Sequence, residues 1–381
     1  MLIPSTLRAE AAGTVRVRVA TSDGSRYPVQ VGAGALADLS DLLQREARAH
    51  RYVLMGDDRV MGLHGDTVAE AMAPATADPA RLTFPAGEAA KSREEWSRLT
   101  DQLLELEVGR DGCIVALGGG VSGDLVGFVA ATYMRGLPVV QVPTSLVAMV
   151  DSSVGGKTGV DVPLGKNLVG AFHPPRFVLA DTHLARTLPR EERSQGLAEV
   201  VKHGAIADED YLDQVRDGAG ELLQGADELT ARVVARSVEI KSWVVSKDER
   251  EGSLRQVLNF GHTLGHALEA ASDYELPHGS AVALGMILEA RLGEALKITE
   301  AGTAEVLVQA LEAVELPVDP STAMEDPDRI LAHLSRDKKV RGGRPRFVLL
   351  DRIGEVHRGP SSSPAWSHQV PIEAVRDLLE V

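Results

Sequence analysis

The stretch Cys113-Ile114-Val115-Ala116-Leu117-Gly118-Gly119-Gly120-Val121-Ser122-Gly123-Asp124 decides the fold. Five residues without a polar interruption read as a strand buried on both faces, the pattern of a parallel sheet, and the glycines after them read as a sharp strand-to-helix turn. Glycines at such a turn let backbone amides approach a pyrophosphate, whose charge the helix amino terminus favours. The spacing is not G-x-G-x-x-G, so the run alone fits a tight structural turn equally well. Working outward, residues 52–55, 81–84, 139–142 and 177–179 are further short apolar runs alternating with helical stretches. That alternation predicts a mostly parallel sheet covered by helices. Upstream, Val15-Arg16-Val17-Arg18-Val19 alternates with period two and is followed, across Ser22-Asp23-Gly24-Ser25, by residues 27–31, which predicts a hairpin.

From about Ser194 the pattern becomes helical, through residues 228–247, 254–271 and 280–296. The fold class expected is therefore α/β plus α. A Rossmann-like α/β nucleotide-binding domain (1–190) precedes a mainly helical metal- and substrate-binding domain (191–381). A late hairpin is expected from residues 346–350 and 355–356 around Asp351-Arg352-Ile353-Gly354. The run Gly359-Pro360-Ser361-Ser362-Ser363-Pro364 reads as a flexible link, and residues 372–379 as a short closing helix.

With 381 residues, two domains is the working expectation at roughly 150 residues each. The 44% hydrophobic and 25% charged content suits a globular chain and excludes a disordered or collagen-like one. A formal charge of −15 opposes a nucleic-acid or anionic-membrane surface, so an anionic substrate must be met by a local basic pocket. Cys113 is the single cysteine; it excludes an intramolecular disulfide and a four-cysteine zinc site, leaving His and carboxylate as metal ligands. There is no signal-like amino terminus and no apolar run of spanning length, so a cytoplasmic protein is expected.

Three further clusters carry chemistry. The first is Pro143-Thr144-Ser145, then Asp151 to Gly159 with Lys157, then Gly165-Lys166-Asn167. Gly-Gly-Lys-Thr resembles the end of a phosphate loop, but Asp151 stands where G-x-x-x-x-G-K-[ST] requires its first glycine, which argues against a P-loop NTPase. Lysines and an Asn beside glycines can still hold phosphate by charge-assisted hydrogen bonds; the alternative is solvated loop lysines. The second cluster is Glu199-Val200-Val201-Lys202-His203, Asn259-Phe260-Gly261-His262-Thr263-Leu264-Gly265-His266 and His278-Gly279. Glu199 and Lys202 share a helix face, as do His262 and His266. Two histidines and a carboxylate give zinc three ligands with a fourth position open, and periodicity alone selects His262 and His266 as the pair. The third is Lys241, then Asp248-Glu249-Arg250-Glu251 and Arg255, which by themselves read as a solvated helix face.

Together these segments resemble the 3-dehydroquinate synthases, from about Asp57 to about Leu350. The carrying blocks are GGGVSGDLVGFVAATYMRG at 118–136, PTSLVAMVDSSVGGKTGVDVPLGKN at 143–167, NFGHTLGHALE at 259–269 and Asp337-Lys338-Lys339. The resemblance implies that Glu199, His262 and His278 hold a divalent metal, zinc or alternatively cobalt. His266 then falls outside the ligand set, as a substrate-binding and proton-transfer histidine. For NAD it implies Asp57, Glu88, Lys91, Gly119, Gly120, Asp124, Thr144, Ser145, Lys157, Lys166 and Thr187. For catalysis and substrate it implies Lys157, Lys202, Lys241, Glu251, Arg255, Asn259 and His266, with Arg135, Asp151, Asn167, Lys338 and Lys339. Arg59 stands where the family often has Asn beside the adenosine, and the tail after about Arg358 is longer than common.

The activity so implied converts 3-deoxy-D-arabino-heptulosonate 7-phosphate to 3-dehydroquinate and phosphate, in aromatic amino acid biosynthesis by the shikimate pathway. Its steps are transient oxidation by NAD, phosphate elimination, re-reduction, ring opening and aldol closure. A homodimer is the family's usual state. The rivals are other sugar-phosphate cyclases (amino-dehydroquinate, 2-deoxy-scyllo-inosose and sedoheptulose-phosphate types), a metal-dependent polyol dehydrogenase, and a non-catalytic NAD-binding module. Lys241, Arg255, Asn259 and His266 together resemble the dehydroquinate pattern, a dehydrogenase leaves the phosphate-binding cations without a purpose, and an intact ligand set argues against a non-catalytic module.

Overall fold

The structure, a computed structural model, describes residues 14–76, 78–324, 326–336, 345–359 and 364–380. It divides into two compact units: one runs up to Pro189 and takes in Asp227–Ser242, and the other comprises Arg190–Ala226 and the chain from Trp243 onward. The division is thus not a single cut near residue 190, because part of one later helix counts with the first unit.

In the first unit the alternating segment forms β1 (Val15–Ala20), antiparallel to β2 (Arg26–Gly32), with Val17 opposite Val29 and Val19 opposite Tyr27. The apolar runs form β3 (Arg51–Asp57), β4 (Ala80–Phe84), β5 (Gly112–Gly118), β6 (Val139–Pro143) and β9 (Val178–Asp181). Among the described residues these make a seven-stranded sheet in the order β1-β2-β9-β6-β5-β3-β4, parallel except for β1. β5 is buried along its whole length, as its unbroken apolar sequence requires. Gly56 on β3 lies so close to β5 that a Cβ there would come 2.4 Å from the Leu117 carbonyl oxygen.

The helices of this unit are α1 (Leu39–Glu46), α2 (Asp58–Met72), α3 (Arg93–Glu105) and α4 (Gly120–Thr132). Asp57 caps α2 by accepting the Val60 N–H, and Ser92 caps α3 by accepting the Glu95 N–H, the first half of a capping box. Leu99 and Leu103 of α3 with Leu125 and Val129 of α4 join Val53, Met55 and Ile114 of the sheet in one core cluster. Residues 157–172, for which the sequence pattern predicts no strand, form a hairpin of β7 (Lys157–Val162) and β8 (Gly165–Phe172). Only one of its faces is apolar and packed, through Val160, Val169 and Ala171, while Leu164 and Phe172 are exposed, so no buried run announces the strands.

The second unit holds α5 (Arg190–Ala207), α6 (Glu209–Asp217) and α7 (Ala219–Gln224); α8 (Asp227–Lys247) follows, counting with the first unit as far as Ser242, and then come α9 (His262–Ala271), α10 (His278–Ala295), α11 (Thr303–Ala313) and α12 (Pro327–Arg336) of the second. The single helix expected over 254–271 is broken. Leu254–Asn259 is a 3-10 turn, and Gly261 takes a left-handed φ of 76° before α9 starts. α10 forces the break, since the space a Gly261 Cβ would need is filled by Met286 and by the Val282 carbonyl.

The expected late hairpin is shorter than the sequence suggests. β11 (Leu350–Arg352) pairs with β12 (Glu355–Val356), whereas β10 (Arg346–Phe347) pairs with β13 (His368–Gln369) of the tail. The tail then forms α13 (Ile372–Leu379), whose Val375 and Leu379 join the core of Leu264, Leu288, Ile330 and Phe347. Burying each of those two side chains stabilises by about 1.5–3 kcal/mol, so the tail contributes packing. Most of the expected Gly359–Pro364 link lies outside the described residues.

Candidate active site

α5, α9 and α10 each contribute one member of a tight polar group. Glu199 is buried at 1% exposure, and its Oε1 lies 3.3 Å from His262 Nε2 and 3.4 Å from His278 Nε2. One donor atom from each of the three falls within 4.8 Å of the others. Both rings have their second nitrogen engaged: His262 Nδ1 is 3.1 Å from the Phe260 carbonyl oxygen, and His278 Nδ1 is 3.5 Å from Glu269 Oε1. This is the arrangement that orients imidazoles toward a metal, and three protein donors leave further coordination positions open. The donor set therefore fits a divalent ion of the zinc type.

The charges follow from that packing. Burial alone would raise the Glu199 carboxyl, but Lys202, whose ammonium touches Glu199 Oε2, together with His262 and His278, holds it well below the usual carboxylate range. Burial and Lys202 lower His262. Burial also disfavours charge on His278, yet its hydrogen bonds to Glu199 and Glu269 outweigh this and push it up to about 10.

His266, one turn along α9, has its ring 5.3 Å from that of His262, so the two do share a face. Its donor atoms group with Glu269 and His278 instead of with Glu199. Glu269 is a residue that reading the sequence for site residues missed. It falls on the same helix face, at i+7 from His262 and i+3 from His266, and that spacing was the available signal.

Close by in sequence, Asn259 Nδ2 donates to Glu251 Oε1 at 2.7 Å. The buried Arg255 donates through Nη1 to the Glu249 carbonyl, while its own N–H, with those of Gly252 and Ser253, is held by the Asp248 carboxylate. The segment expected as a solvated helix face is thus a folded turn in which Asp248, Glu251 and Arg255 are engaged, while Arg250 is exposed. Lys338 and Lys339 lie outside the described residues.

The α/β unit carries the second group. The chain leaves β3 toward β4 on one side and β5 toward β6 on the other, so the topological switch lies at the carboxyl ends of β3 and β5. In open α/β sheets this is where ligands bind. Asp57 ends β3, caps α2 and accepts the Ser122 hydroxyl at 3.1 Å. Gly118 ends β5 at φ 146°, and a Cβ there would come 2.2 Å from Ser122 Oγ. A Cβ on Gly119 or Gly120 would meet the Ser145 or Ser152 hydroxyl at 3.2 and 3.3 Å, so the serines close in on this turn where only glycine fits without a shift. Thr144 N–H donates to the Gly118 carbonyl at 2.9 Å, and Ser145 Oγ accepts from Ala148 N–H at 3.3 Å. The cradle fits a dinucleotide pyrophosphate.

Beside it, the buried Lys91 ammonium lies 2.9 Å from Asp124, 3.5 Å from Glu88 and 3.9 Å from Asp161. Burial raises the Asp124 and Glu88 carboxyls, and Lys91 opposes this in both. Asp161, which the sequence reading also missed, accepts the Asn167 N–H at 2.7 Å. Lys241 on α8 reaches both Asp151 Oδ1 and the Asp151 carbonyl at 2.6 Å. Lys157 and Lys166 are exposed on the β7–β8 hairpin, Arg135 is exposed at φ 69° after α4, and Thr187 Oγ1 lies 2.9 Å from His64 Nε2.

The chain also matches known proteins along most of its length. The family models "3-dehydroquinate synthase N-terminal" and "3-dehydroquinate synthase C-terminal" match residues 81–195 and 196–340. A 3-dehydroquinate synthase of Symbiobacterium thermophilum is 48% identical over 89% of this chain and 95% of its own length. One of Xanthomonas oryzae pv. oryzae is 44% identical over 91% and 95%. Among solved structures, a 2-deoxy-scyllo-inosose synthase complexed with carbaglucose-6-phosphate, NAD+ and Co2+ superposes with a TM-score of 0.85 at 25% identity, covering 96% of this chain and 99% of that one. A 2-epi-5-epi-valiolone synthase from Streptomyces hygroscopicus, with NAD+ and Zn2+ bound, gives a TM-score of 0.83 at 28% identity over 96% and 98%. The chain belongs to the 3-dehydroquinate synthase family.

Proposed function

We propose that this chain converts 3-deoxy-D-arabino-heptulosonate 7-phosphate to 3-dehydroquinate and phosphate, using NAD and a divalent metal ion, zinc or cobalt. The observation that carries the substrate is the identity of 48% and 44%, over about nine tenths of the chain, to relatives named 3-dehydroquinate synthase. When bound, the metal and NAD supply the transient oxidation of one substrate hydroxyl and its later reversal.

The protein's own residues do the rest. Glu199, His262 and His278 hold the ion, with Glu269 fixing the His278 ring and Lys202 balancing the buried carboxylate. The turn Gly119-Gly120, with Asp57, Glu88, Lys91, Asp124, Thr144, Ser145, Lys157, Lys166 and Thr187, holds NAD. Lys157, Lys202, Lys241 and Arg255, with Arg135 and the Lys338-Lys339 pair, bind the phosphate and carboxylate by charge-assisted hydrogen bonds. Asp151 fixes the Lys241 ammonium in place, and Glu251 does the same for the Asn259 amide. Asn167 completes the substrate contacts, and His266 moves the proton. We further assign the chain to the cytoplasm as a homodimer; among the described residues no helix is long and apolar enough to cross a membrane.

The test is metal dependence. Chelation should abolish turnover and zinc should restore it with one ion per chain. Full activity in metal-stripped protein would refute the assignment.

A further inference from the structure

Glu289 on α10 is fully buried, at 0% exposure, and belongs to none of the sets above. Its carboxylate lies at the start of α9. The Gly261 N–H donates to Oε2 at 2.9 Å, and the Thr263 and Leu264 N–H groups donate to Oε1 at 3.1 and 3.2 Å. The first amides of a helix have no partners inside it, and Gly261, which precedes α9, has no side chain with which to cap them. A carboxylate from the neighbouring helix takes that role, and the positive end of α9 favours its charge.

The residues held are Gly261, Thr263 and Leu264, which flank His262 on both sides. Glu289 also sits about three turns along the helix that begins at His278. One buried side chain therefore ties the turn bearing one proposed ligand to the helix bearing another. We propose that Glu289 is a positioning residue for the metal site, holding His262 in its ligand pose before any ion arrives. The proposal rests on the reading of Glu199, His262 and His278 as the ligands.

Glu289→Gln removes one acceptor oxygen at nearly constant volume. Zinc affinity of the folded variant, measured by competition with a chromophoric chelator, should fall about 10- to 100-fold, and the visible bands of the cobalt-loaded variant should shift. Unchanged affinity and bands beside a lowered melting temperature would reduce Glu289 to a structural cap and overturn the proposal. His262→Ala separates the two failures. If His262→Ala loses zinc while Glu289→Gln keeps it, only the positioning role fails; if both keep it, the ligand reading fails and takes the proposal with it. Should Glu289→Gln not fold, hydrogen exchange on the unaltered chain decides. Protection of the Gly261, Thr263 and Leu264 amides in chelator-stripped protein supports the proposal, and protection that appears only with zinc overturns it.

Discussion

Two histidines on one helix face would suggest one joint task, but their surroundings separate them. His262 and His278 each aim Nε2 at Glu199 Oε1, while His266 groups with Glu269. His266→Ala should therefore keep its zinc, by metal analysis, and lose turnover by about 100- to 10,000-fold, the range for a lost general acid or base. Loss of zinc would restore the paired-histidine reading. His278 makes a second prediction. With its pKa up to about 10, it carries a proton at neutral pH in the metal-free protein, whereas a ligand imidazole must be neutral. His262, lowered, has no proton to give up there. Zinc uptake near pH 7 should thus release about one proton from this pair, and affinity should rise about tenfold per pH unit until it levels off near the His278 pKa. Calorimetry in buffers of different ionisation enthalpy measures the release; none would contradict the assignment. The spacing of His262 and His266 was legible in the sequence. That His278, on another helix, joins His262 came from the family resemblance, because helix period reports neighbours on one helix and not between two.

At the scale of elements, the approach of α9 to α10 makes the ligand group possible. A Cβ on Gly285 would stand 1.9 Å from the Gly261 carbonyl oxygen and 2.8 Å from the Gly265 nitrogen, backbone atoms that cannot swing aside. Gly285→Ala should cost about 1–3 kcal/mol or more in urea denaturation and weaken zinc binding, since the two helices must separate. Stability and zinc affinity equal to the parent's would contradict the view that this contact sets the ligand geometry. Strands with unbroken apolar runs, such as β3 and β5, could be read from sequence because both faces are buried. β7 and β8 could not, since β8 is largely exposed and Gly159 and Gly170 interrupt the alternation. Nor could the pairing of β10 with β13, two residues against two with β11 and β12 between them, because local pattern carries no information about so distant a partner. The break before α9 was hidden for a related reason: Gly261 inside an apolar helical pattern shows its left-handed φ only when α10 occupies the adjacent space.

For the molecule as a whole, a formal charge of −15 is an unlikely setting for a phosphate-bearing acid unless cations are concentrated locally. In the first unit Lys91 and Lys241 are buried against carboxylates and Lys157 and Lys166 stand exposed on one hairpin, and in the second Lys202 is buried against Glu199; of these cations the proposed function assigns Lys157, Lys202 and Lys241 to the substrate. The central claim is that this apparatus performs a redox-neutral cyclisation, with NAD regenerated in every turnover. The direct measurement is product analysis after incubating the purified protein with zinc, NAD and 3-deoxy-D-arabino-heptulosonate 7-phosphate. 3-Dehydroquinate and phosphate should form in equal amounts with no accumulating NADH; NADH rising in step with product, or a different carbocycle, would contradict the account.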